Sequence, residues 1–123
     1  MRFILPCLLF LAACAPQPDV PRAVSLGPLP LAGQITKAKP EGCAGQVAAG
    51  WFPALCPAEM TPELVATLQR ALAARGLYRG PATGRLDGAT RTAIAAWQAP
   101  RGLDSTTLST RAAQELGLIP WLD

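Results

Sequence analysis

The chain contains no histidine. Its absence excludes Ser-His-Asp and Cys-His catalytic arrangements and any imidazole-based metal centre. Lysine is almost missing too: Lys37 and Lys39 are the only two, so no glycine-rich loop leads into a phosphate-binding lysine. Aromatic residues make up 6% of the 123 residues and charged residues 15%. The apolar run near the N-terminus is too short for a bilayer-crossing helix, which needs ~20 apolar residues. A glycosidase would need two carboxylates across a cleft. Glu63, Asp87, Asp104 and Glu115 instead fall at helix starts, helix ends or loops of a small domain. The chain therefore reads as non-catalytic, with no cofactor and no metal site.

The charge that is present is mild. The formal net charge is +3, and from Thr61 onward it is carried by seven arginines against five acids. All-arginine charge of this size suits a partner bearing carboxylates. It falls short of the dense Lys/Arg clustering of a nucleic-acid footprint, so nucleic acid is excluded as a partner.

The N-terminus has Arg2, then the apolar stretch Phe3 to Phe10, then Leu11-Ala12-Ala13-Cys14. A charged n-region, an apolar h-region and small residues before a cut site form a signal peptide, here residues 1–13. Ending on cysteine, the segment resembles the lipobox of bacterial lipoproteins. That resemblance implies that Cys14 becomes the first mature residue and carries lipid, tethering the chain to a membrane. Ala15 rather than aspartate follows, which resembles an address at the periplasmic face of the outer membrane.

Of the four cysteines, Cys7 leaves with the signal and Cys14 carries lipid, which leaves Cys43 and Cys56. In an exported chain that pair reads as a disulfide. A catalytic dithiol usually reads Cys-x-x-Cys, and the missing histidines remove the usual zinc partners.

Composition changes along the chain. Residues 14–42 hold Pro16, Pro18, Pro21, Pro28, Pro30 and Pro40 without periodicity, as in a disordered, semi-stiff stalk. Residues 43–60 form a disulfide-closed segment in which Trp51 and Phe52 read as an apolar plug against the domain, with an exposed ligand platform as the alternative. From Thr61 the pattern is helical. Thr61-Pro62 opens a first helix on Leu64, Val65, Leu68 and Leu72, ended by Gly76. Asp87 caps a second, on Thr90, Ala93, Ile94 and Trp97, closed by Pro100. Ser109 caps a short third, stopped by Gly117. The expected fold is all-α: three helices around Leu64, Leu68, Leu72, Ile94, Trp97, Leu103, Leu116 and Leu118, with residues 119–123 as a tail.

The order Leu68-Gln69-Arg70-Ala71-Leu72, Gly76-Leu77-Tyr78, Gly84, Thr90 to Gln98 and Gly102-Leu103 resembles the peptidoglycan-binding domain of the PG_binding_1 type. The resemblance spans residues 61–118 and implies a compact three-helix module. Thr83-Gly84 stands where that family has Asp-Gly, and Asp87-Gly88 where the loop's second glycine belongs. The implied partner is peptidoglycan. Candidate contacts are Tyr78 on a sugar face, Arg79, Arg85 or Arg91 on stem-peptide carboxylates, and Gln98 on an amide. Tyr78 has a competing role in closing the core after the first helix, and Gln98 in bracing a loop. The chain thus reads as a lipid-anchored module linking membrane to wall. The alternative is an accessory lipoprotein that docks on an envelope protein through Trp51-Phe52 and Ile119-Pro120-Trp121-Leu122.

Overall fold

A computed structural model of the protein describes residues 30–121. The expected signal peptide (residues 1–13), Cys14 with its expected lipid, the expected linker up to residue 29, and Leu122 and Asp123 lie outside the described residues. Among those described, no helix is long and apolar enough to cross a membrane.

Three α-helices form where caps and apolar spacing place them: α1 (Pro62–Ala74), α2 (Gly88–Gln98) and α3 (Thr110–Glu115). Each opens on a side-chain cap that satisfies the amide three residues on. The Thr61 hydroxyl accepts from Leu64, the Asp87 carboxylate from Thr90 and the Ser109 hydroxyl from Ala112. Each helical run also ends alike. A left-handed glycine (Gly76, Gly102, Gly117) and the leucine after it return their amides to the last turn, as in Leu77 to the Leu72 carbonyl at 3.0 Å. Pro100 does not close α2 as expected. It sits near the start of a 3-10 turn (Ala99–Arg101), where its missing amide costs nothing, and the run continues to Gly102.

The all-α expectation is overturned. Ala44–Val47 (β1) and Gly50–Pro53 (β2) form an antiparallel hairpin, so the fold is mixed. Trp51 also exchanges backbone hydrogen bonds with Thr36, at 2.7 and 2.8 Å, which lays residue 36 beside β2 as a one-residue third strand. The expected disordered stalk is corrected over its described part. Its last stretch makes a 3-10 turn (Leu31–Gln34), and Leu31 is completely buried in the core. A proline-rich composition disfavours regular structure, yet one leucine reaching a core and one residue pairing with a strand are enough to order such a segment.

Alternation along β2 splits the two aromatics. Phe52 is fully buried with Leu68, Leu72, Ile94 and Leu103, whereas Trp51 faces the other way, under the Lys39 ammonium at 5.6 Å. The Phe52 ring lies over Gly45 on the paired strand, and any side chain at Gly45 would collide with it. A Cys43–Cys56 disulfide closes the hairpin, with Cα atoms 5.1 Å apart. Ala54 pairs with Ser109, and the Leu55 amide donates to the Leu108 carbonyl, joining hairpin to helices. Leu64, Trp97 and Leu118, expected in the core, pack half-buried at its margin. Leu31, Phe52, Leu55, Tyr78 and Leu108 occupy it instead.

Candidate functional site

Two buried glutamines hold the loops from which a site is built. Gln69, in the middle of α1, is fully buried and donates to the Arg85 carbonyl and the Thr90 hydroxyl, both at 2.9 Å. Its oxygen accepts the Gly84 amide. Gly84 must be glycine: its φ is +75°, and a Cβ would come within 2.7 Å of the Pro62 carbonyl oxygen. These bonds pin the loop at Gly84 and Arg85 onto the middle of α1. The Thr90 hydroxyl passes the network on to Asp87, donating at 2.6 Å. That bond, then the Thr90 amide, holds the Asp87 carboxyl below its ordinary value, with Arg91 adding a favourable field.

Gln98 does the same for the next loop. It too is fully buried; its nitrogen donates to the Ser105 and Thr107 carbonyls and its oxygen accepts the Ser109 amide. Both donor hydrogens are spent internally, so Gln98 shapes a surface without touching a ligand. Tyr78 is 5% exposed, and its hydroxyl donates to the Pro81 carbonyl at 2.8 Å. Its ring face is packed in the core, where it offers a sugar no platform.

The three arginine candidates are exposed. Arg91 alone lines a groove of about 450 Å³. One wall is Leu86, Arg91 and Ile94, from the start of α2; the loop wall is Thr106, Thr107 and Leu108; Leu55, Pro57 and Met60 close the third side. A shallower depression of about 340 Å³ lies between α1 (Glu63, Thr67, Arg70) and Thr83-Gly84, and it includes none of the five candidates.

Met60, Leu86 and Leu108 were missed in the sequence, though they share a signal. Each is the apolar residue immediately before a helix cap (Thr61, Asp87 and Ser109), the position from which a side chain folds back over the helix start. Their meeting in one groove means that the three helix starts face a common space. Among the described residues there is no cluster of acids or cysteines fit for a metal.

Beyond the groove, Trp97 carries two guanidinium groups over its ring, Arg75 at 5.1 Å and Arg101 at 4.7 Å. Arg101 also pairs with Glu115, joining the end of α2 to α3. Trp121 is 53% exposed, with Arg111 over its ring at 5.3 Å, and so does not form a lid on the core.

Residues 61–107 match the family model PG_binding_1, a peptidoglycan binding domain. The matched segment takes in α1, α2 and both braced loops and stops short of α3, well under half of the chain. The hairpin and its disulfide lie outside it. No curated protein and no solved structure matches the chain. The family match supports peptidoglycan as the partner of this segment.

Proposed function

We propose that the protein is a non-catalytic, lipid-anchored envelope protein whose folded part holds peptidoglycan while Cys14 holds the membrane, at the periplasmic face of the outer membrane. The observation that carries this reading is the family match over residues 61–107, which supply Leu86, Arg91, Ile94, Thr106 and Thr107 to the groove. The n-region, h-region and Cys14 sequence supports the anchor. The Cys43–Cys56 disulfide suits an oxidising compartment. With no histidine anywhere in the chain, binding is the simplest chemistry open to it.

Two experiments test the two ends of the tether. Cells fed a labelled lipid precursor should label the wild type and not Cys14→Ala. The full-length protein should pellet with purified sacculi and release no muropeptides from them. A second reading, an accessory lipoprotein that docks on an envelope protein, draws on the exposed Trp121 beside Arg111. It would show as failure to pellet together with a specific crosslink lost in Trp121→Ala.

A further inference from the structure

The groove belongs to two regions at once. Arg91, Ile94 and Leu86 come from the family-matching segment, whereas Leu55, Pro57 and Met60 come from the stretch that follows the hairpin, outside the match. That stretch is fixed at its start: Cys56 is tied to Cys43, and the Leu55 amide donates to the Leu108 carbonyl. The Glu59 carboxylate is engaged locally, accepting the Cys56 amide at 2.7 Å. Asp87, the acid nearest Arg91 in sequence, is engaged with Thr90. Among the described residues Arg91 makes no ion pair, so its guanidinium stands at the groove with two donor edges to offer.

The lining also distinguishes between the two chemical parts of a wall polymer. Sugar rings favour flat aromatic faces, and none lines this groove. Tyr78 is buried, Trp51 and Trp97 carry cations over their rings, and Trp121 lies elsewhere. Small aliphatic surfaces backed by one exposed arginine suit a short peptide with methyl side chains and a free carboxylate, which an arginine can grip with paired hydrogen bonds.

The geometry points to a peptide site: the groove takes the stem peptide of the wall polymer, a carboxylate on Arg91 and a small side chain against Met60, Leu86 and Ile94. Residues 55–60 supply the side of that site which the family segment lacks. The inference deepens the peptidoglycan reading above and rests on it. Gln98 holds the Thr107 carbonyl of the groove's loop wall and the Ser109 amide just beyond it.

The test is a titration of the full-length protein in detergent with a synthetic stem tetrapeptide, with the same peptide amidated at its carboxylates, and with a peptide-free glycan fragment. The free peptide should bind and the glycan should not. Amidation or Arg91→Gln should weaken binding by about tenfold or more, the loss expected for a charge-assisted contact. Met60→Asp should weaken it comparably, and the milder Met60→Gln in part, with melting curves confirming the fold. Peptide affinity unchanged in Arg91→Gln and in both Met60 variants would overturn the inference, as would binding of glycan alone. Sacculus pelleting separates the two levels. If the wild type pellets and the variants pellet equally, the site is elsewhere and the wall reading stands. If the wild type does not pellet, the wall reading fails and this site falls with it.

Discussion

Residues 61–118 and residues 31–60 are ordered by different means. In the helical region every start and end is closed locally: hydroxyl or carboxylate caps at Thr61, Asp87 and Ser109, and Gly-Leu returns at 76, 102 and 117. The hairpin region has strands of four residues and a turn of two alanines, too little to stand alone. It is held by distant partners: Cys56 for Cys43, Ser109 for Ala54, and the helical core for Leu31 and Phe52. The comparison teaches that a segment with weak local signals can still be an integral part of the core, and that it forms one side of the groove.

If the hairpin is core, its inward aromatic should matter far more than its outward one. Phe52→Ala should lower stability by about 3–5 kcal/mol, as large-to-small changes at fully buried aromatics do. That would bring the melting temperature of the full-length protein down by more than ~10 °C. Trp51→Ala, which removes the Lys39 contact from a half-buried ring outside the core, should cost about 1 kcal/mol. Equal effects in thermal melts would erase the distinction between the two faces of β2.

Within the helical region the corresponding lock is Arg101–Glu115, whose side chains are 6% and 12% exposed. Glu115→Ala removes one partner of this buried pair and should cost about 3 kcal/mol, the lower end for breaking a buried pair. Urea unfolding of Glu115→Ala beside the wild type measures it.

Reduction of Cys43–Cys56 should destabilise by roughly 2–3 kcal/mol, the value for closing a loop of this size. Hydrogen exchange should then rise first at Ala44 to Leu55 and last in α1 and α2. An unchanged melt in dithiothreitol, or uniform loss of protection, would mean that the two regions do not differ as described.

The smallest effect is one of pH. The Asp87 carboxyl is held below its ordinary value by Thr90, so its contribution is present above the unfolded value of about 3.9 and fades as pH falls through the lower folded value. Asp87→Asn should remove that part of the acid dependence while keeping a capping side chain. Superimposable acid unfolding profiles for the two proteins would contradict it.

The helices were legible because their signals are local. A cap, a 3.6-residue spacing and a terminal glycine can be read without knowing what lies nearby. The hairpin was not, because Gly45 is explained only by the Phe52 ring across the ladder and Leu31 only by a core it reaches over a distance. Proline also disfavours strands in general, yet Pro53 is tolerated at the end of β2. Among the site candidates, Arg91 was legible as an exposed charge on a helix. Tyr78 and Gln98 fit the resemblance equally well as ligand contacts and as internal braces, and only their hydrogen bonds distinguish the two. Met60 carried a position-specific signal, the apolar residue before a cap, but nothing in the sequence placed it beside Leu86 and Leu108.

The most direct test of a wall-binding site shared by the two regions is a backbone amide NMR spectrum of the isotope-labelled protein titrated with soluble muropeptides. Shifts are expected at Arg91 and Ile94 and, in step with them at one affinity, at Leu55 and Met60, with α1 from Arg70 to Ala74 unmoved. Shifts confined to the helical region, or no shifts at all at saturating muropeptide, would contradict it.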